Sequence, residues 1–294
     1  MGSVRTVKGK FLGIIELIKF EHSIFALPFA MIALFMVYDG SLPDPVKTFW
    51  IIAAMISARS AAMAFNRIAD YGYDSRNPRT SKRPLQARKV SLREAWVFTV
   101  IATLLFVFSA AMLNWTAFWL SFTVLPVLFG YSYTKRFSAL SHLILGLNLG
   151  VSAMGAWVGV TAYVSATSIL LCGGITFWVA GFDIFYALQD IEFDRQEGLA
   201  SIPVRLGPDK ALAVALIFHI IALIFFVSAG ISGQLGSIFY AGLTIIAAIL
   251  FYEHWLVAKR GLTHITMAFF TLNGVVSILF FCFTMADILI RKNT

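Results

Sequence analysis

A chain of 294 residues that is 59% hydrophobic and only 13% charged, with a mean hydropathy of +0.82, is not a soluble globular domain; such domains carry roughly 25% charged residues. The net charge of +8 is gathered in particular loops, so it does not imply nucleic-acid binding. The two cysteines, Cys172 and Cys282, fall inside apolar runs, and the five histidines show no ligand spacing, which excludes a disulfide framework and gives no sign of a zinc or haem site.

The first residues, MGSVRT, satisfy the myristoylation pattern, though in a chain with many spans one acyl anchor would add little. The apolar stretch that follows runs straight into a span without a small-residue cleavage site, so no cleavable signal peptide is expected. A helix needs about 20 apolar residues to cross the hydrocarbon core. Windows of that size predict nine spans: 18–38, 46–66, 93–113, 115–133, 141–162, 167–187, 211–231, 235–257 and 266–289. Short turns are required near Asn114 and at Ser232 to Gly233. The expected fold is all-α, a polytopic bundle forming one domain over residues 1–294, with a cap of polar loops at one end.

Lys and Arg orient the bundle. The N-terminal segment, with Arg5, Lys8, Lys10 and Lys19, and the loops after the second, fourth, sixth and eighth spans hold nearly all of them. Opposite loops hold only Lys47, Arg291 and Lys292. The expectation is a membrane protein with a cytoplasmic N-terminus and its working end toward the cytoplasm. The aromatic richness (28 Phe, 7 Trp, 9 Tyr) fits lipid-facing bulk, with a minority available to line an apolar pocket.

Two acidic segments interrupt this pattern, Asn66 to Asp74 after the second span and Asp183 to Asp194 at the end of the sixth. Arg59, Asn66, Asp70 and Asp74 are seven, four and four residues apart; Asp183, Asp190 and Asp194 are seven and four apart. At ~100° per residue each set occupies a helical face no wider than about 80°. Helix-end solvation accounts for the outer aspartates but not for Arg59 and Asp183, two turns further in, where charge is costly. Carboxylate and amide oxygens from two helices suit Mg2+, a hard cation that shares phosphate ligands. The loop RNPRTSKRPL offers Arg76, Arg79, Lys82 and Arg83 to a bound diphosphate, and Pro78 and Pro84 stop the helix. In YSYTK, Lys135 can reach a phosphate and Tyr131 can donate a hydrogen bond.

These motifs resemble the UbiA superfamily of intramembrane aromatic prenyltransferases over essentially the whole chain. Its first aspartate motif corresponds to Asn66, Asp70 and Asp74, preceded by Arg59; its RTxxRPL loop to Arg79, Thr80, Arg83 and Pro84; its YxxxK motif to Tyr131 and Lys135; its second motif to Asp190 and Asp194, with Asp183 upstream. The family often has Asp directly after the motif Asn, where this chain has Arg67. FEHSIFALPFA, AMAFNRIAD and FDIFYALQDIEFDRQEG are similar to the bacterial 4-hydroxybenzoate polyprenyltransferase-like subgroup.

The resemblance implies transfer of a polyprenyl group from its diphosphate to an aromatic acid such as 4-hydroxybenzoate in quinone biosynthesis. Asn66, Asp70, Asp74, Asp190 and Asp194 would bind Mg2+, with Lys135 assisting, and Arg59, Arg79, Arg83, Tyr131 and Asp183 would bind substrate. The expected partners are polyprenyl diphosphate, the acceptor and the lipid bilayer; no nucleic acid or protein partner is predicted. Dihydroxynaphthoate, homogentisate, haem or a chlorophyllide are alternative acceptors. A secondary transporter is the rival class; acidic groups near the helix ends, with basic loops beside them, speak against it.

Overall fold

The computed structural model describes residues 7–19, 23–260 and 271–293. The MGSVRT pattern, Arg5, His22, His264 and the start of the predicted last span lie outside the described residues. The helices are α1 (Val7–Ile18), α2 (Ser23–Tyr38), α3 (Pro45–Ala69), α4 (Tyr71–Arg76), α5 (Leu92–Leu113), α6 (Trp115–Thr134), α7 (Ser141–Thr161), α8 (Ala166–Ala187), α9 (Ile191–Gln196), α10 (Ile202–Leu206), α11 (Pro208–Ser232), α12 (Ser237–Arg260) and α13 (Asn273–Asn293). No strand occurs among the described residues. The chain is an integral membrane protein: eight of these helices are long and apolar enough to cross a bilayer. Each of the nine predicted windows meets a helix. The first is the exception in length, since α2 has 16 residues.

Local chemistry sets the helix ends. Asp44 accepts hydrogen bonds from Val46 N (2.8 Å) and Lys47 N (3.3 Å), with Pro45 in the first turn of α3. Ser91 and Glu94 close a capping box on α5, and Ser165 and Ser168 close one on α8. The abrupt joint at Asn114 is explained by one side chain. Its Oδ1 accepts from Ala117 N at 2.8 Å, while its Nδ2 donates to Val158 O and Gly159 O of α7 at 2.8 and 2.9 Å.

The eight long apolar helices and the shorter α2 form a closed ring in chain order, α2, α3, α5, α6, α7, α8, α11, α12 and α13, with α13 returning to α2 and a further contact joining α2 to α7. That contact divides the ring. On one side, Phe29, Trp178, Phe226, Phe239 and Phe280 fill the interior, with centroid separations such as 5.0 Å for Phe29–Trp178 and 4.7 Å for Phe226–Phe280. On the other side a cavity remains.

Two close approaches hold this frame. Gly146 and Gly150 of α7, a GxxxG spacing, face α8: a Cβ at Gly146 would fall on the Thr176 carbonyl, and one at Gly150 would lie 2.5 Å from Cys172 O. At the far end, Asp287 of α13, 1% exposed, accepts from Gly236 N (2.7 Å) and Phe239 N (3.2 Å) at the start of α12. Asp287→Ala removes this cap and is expected to cost about 1–2 kcal/mol. It should lower the thermal unfolding midpoint in detergent; an unchanged midpoint would refute the capping role.

Candidate active site

The cavity has a volume of about 450 Å³ and lies among α3, α5, α6, α7 and α8. Small side chains create it. Ala54, Ala58 and Ala62 recur every fourth residue on α3, and Ser152, Gly155 and Ala156 face them from α7. Its deep part is apolar, with Met55, Leu113, Leu120, Leu149 and Phe182, and its other end is polar. Arg59, Asn66, Asp70, Asp74, Arg79, Arg83, Tyr131, Lys135, Asp183, Asp190 and Asp194 all line this one space, whereas Arg76 and Lys82, also expected to meet the diphosphate, do not.

The two acidic segments are not continuous helical ridges, which corrects the sequence expectation. α3 ends at Ala69 and the chain resumes as α4, with Asp70 at the break (φ −92°, ψ 8°). α8 passes through a 3-10 turn, Leu188–Asp190, into α9, with Asp190 at the break (φ −106°, ψ 6°). Both motifs therefore place their first aspartate in the bridge region at a helix break. The four-residue spacing survives, as Asp74 N donates to Asp70 O at 2.8 Å. Each break re-aims its second aspartate while keeping it on the cavity wall.

Five carboxylates (Asp70, Asp74, Asp183, Asp190, Asp194) and five basic side chains (Arg59, Arg67, Arg79, Arg83, Lys135) line the cavity, so its fixed charges balance. Most are paired. Arg83 Nη1 lies 2.7 Å from both oxygens of Asp74. Arg79 grips Asp190 with two nitrogens, Nε to Oδ1 at 2.9 Å and Nη2 to Oδ2, and donates to the Tyr186 hydroxyl at 2.5 Å. Lys135 Nζ is 3.2 Å from Asp70 Oδ2, which also accepts from Asn66 Nδ2 at 3.2 Å. The cations expected to meet a diphosphate are thus held by the carboxylates expected to meet a metal. Arg59 donates to Ile18 O of α1 at 3.3 Å.

No group of three metal-ligating side chains is gathered among the described residues. The donor set nonetheless fits Mg2+, which takes one or two carboxylates plus waters and phosphate oxygens. Asp70 is 3% exposed, and its buried Oδ1 has no hydrogen-bond partner. The Asp194 carboxylate, which lines the same cavity, makes no hydrogen bond or ion pair among the described residues. Asp70 Oδ1 faces Arg136 Nη2 at 3.7 Å, too long for a hydrogen bond, so a buried carboxylate oxygen remains that a bound cation would complete.

Several neighbours escaped sequence reasoning. His142, at the start of α7, meets Asp183 through Nδ1 at 2.7 Å and accepts from Ile202 N through Nε2 at 3.4 Å, which assigns the proton to Nδ1. Its partner is 41 residues away, so no spacing rule could have found it. Asn77 Nδ2 donates to Asp190 Oδ1 at 3.1 Å, tying the loop after α4 to the second motif. Outside the cavity, Arg76 and Glu197 form a two-point ion pair (2.8 and 2.6 Å) across the same ends. That hydrogen bonding, more than charge proximity, holds the Glu197 carboxyl below its ordinary range.

Comparison with known proteins follows the same lines. The model of the UbiA prenyltransferase family matches residues 26–275. The chain is 29% identical over 260 residues to the 4-hydroxybenzoate octaprenyltransferase of Pseudomonas aeruginosa (strain LESB58), covering 88% of this chain and 86% of that one. It is 27% identical over 251 residues to the enzyme of that name from Francisella tularensis subsp. tularensis, covering 85% and 86%. Among solved structures, the apo UbiA homolog from Aeropyrum pernix K1 superposes with a TM-score of 0.81 at 34% identity, over 93% of this chain and 98% of that one. A UbiA homolog from Archaeoglobus fulgidus bound to GPP and Mg2+ shares the fold, with a TM-score of 0.75 at 21% identity over 94% and 99%.

Proposed function

The chain belongs to the UbiA prenyltransferase family, and from that premise we propose that it transfers a polyprenyl group from polyprenyl diphosphate to an aromatic acid of the 4-hydroxybenzoate kind, in quinone biosynthesis. The observation that carries the reading is the division of one cavity into a charged end, built from both acidic motifs, and an apolar interior. A prenyl diphosphate has the same division. The site is assigned to the cytoplasmic side of a bacterial inner membrane, on the strength of the basic loops that surround it.

Asp70, Asp74, Asp190 and Asp194, with Asn66, would hold Mg2+, which when bound supplies charge neutralisation and alignment of the diphosphate. Lys135, Arg79 and Arg83 then turn from their carboxylates toward the diphosphate and stabilise the charge it gains as the allylic carbon–oxygen bond breaks. The apolar walls exclude water from the allylic cation, and aromatic faces such as Phe182 lie where they can stabilise it. A ring carbon of the acceptor forms the new carbon–carbon bond and releases its proton. Asp183, oriented by His142, and Arg59 are assigned to acceptor binding.

The test is purified full-length protein in detergent with one prenyl diphosphate, Mg2+ and a panel of acceptors: 4-hydroxybenzoate, dihydroxynaphthoate and homogentisate. Prenylated 4-hydroxybenzoate with stoichiometric pyrophosphate release supports the reading, and transfer to another acceptor alone reassigns it. Lys135→Ala should raise the apparent KM for the diphosphate by about tenfold or more, the loss of one charged hydrogen bond. An unchanged value would remove Lys135 from the diphosphate site.

A further inference from the structure

Arg67 is the cavity cation that the resting structure leaves uncommitted. Arg79, Arg83 and Lys135 are each paired with an aspartate, and Arg59 donates to a backbone carbonyl. The Arg67 side chain makes no hydrogen bond or ion pair among the described residues, yet it is partly buried on α3 and lines the cavity. Its electrostatic neighbours are Arg83, Asp74, Asp70 and Tyr186, which places its charge beside the aspartates of the first motif and near the end of α8. An unpaired guanidinium in a membrane helix carries a desolvation cost of several kcal/mol. A fold that needed only packing at position 67 would be more stable with a neutral side chain. The cost is recovered when an anion arrives.

We propose that Arg67 is a magnesium-independent anchor for the donor's diphosphate. The inference rests on the prenyl-transfer reading and adds to it an order of events. To bind phosphate, the three paired cations must first give up carboxylates held at 2.7–3.2 Å, whereas Arg67 has no such bond to lose. Its planar fork can hold two phosphate oxygens at once. A diphosphate seated there then competes for Arg83 and Lys135, and the carboxylates they release become available to Mg2+.

The experiment is isothermal titration of geranyl diphosphate into the detergent-purified full chain in EDTA. Wild type is expected to bind, and Arg67→Gln to bind about tenfold or more weakly, the value of a charged hydrogen bond. Arg93→Gln, an exposed change outside the cavity, should bind as wild type does. Arg67→Lys keeps the charge but not the fork and should show an intermediate loss; it carries the test if Arg67→Gln does not elute as a folded species. Wild-type failure to bind in EDTA, or undiminished binding by Arg67→Gln or Arg67→Lys, would overturn the proposal. Failure of wild type to prenylate any acceptor with Mg2+, while EDTA binding persists, would instead count against the activity reading.

Discussion

Asp70→Ala and Asp190→Ala are each expected to reduce prenyl transfer about a thousandfold or more, the scale on which enzymes lose rate when preorganised charge stabilisation is removed. Both residues stand at helix breaks, one in each acidic segment, and each is the partner of a cation assigned to the diphosphate. Removing either deletes a metal-side oxygen donor and leaves a cation without its counter-ion. Asp70→Asn separates these effects, since it retains the shape and can still face Asn66 while lacking the charge. Turnover should be lost in all three variants while elution from a sizing column stays monodisperse. Near-normal product formation by Asp70→Ala or Asp190→Ala would refute the metal assignment.

Gly146→Leu should prevent accumulation of folded protein, and Gly146→Ala should destabilise it by about 1–3 kcal/mol, the usual consequence of forcing atoms into a packed contact. The atom in the way is a backbone carbonyl, Thr176 O, which cannot swing aside like a side chain. α7 and α8 would have to separate, and α8 carries Asp183 and leads into Asp190 and Asp194. Thermal unfolding of Gly146→Ala in detergent checks the first effect, and residual transfer activity checks the second. A variant as stable as wild type would show that the two helices need not approach so closely.

The sequence exposed the bundle and the polar end because both depend on local chemistry. Apolar runs report spans, and a four-residue aspartate spacing keeps two carboxylates on one side even through a helix break. The breaks themselves were hidden, since no proline or glycine stands at or next to Asp70 or Asp190. α1 was read as a basic, apolar lead into the first span and not as a separate helix, because its packing against α3 is a tertiary fact. The ion pairs Arg83–Asp74 and Arg79–Asp190 were equally hidden: spacing names the charges but not which of them meet. The GxxxG at Gly146 and Gly150 was visible in the letters, but only the position of α8 gives it meaning.

Because one half of the helical ring is plugged by Phe29, Trp178, Phe226, Phe239 and Phe280, the protein has a single hollow hemisphere among its described residues. Any adjustment to accommodate a longer or bulkier hydrocarbon tail must be carved from α3, α5, α6 and α7. The solid hemisphere is free to drift in sequence as long as its rings still interlock.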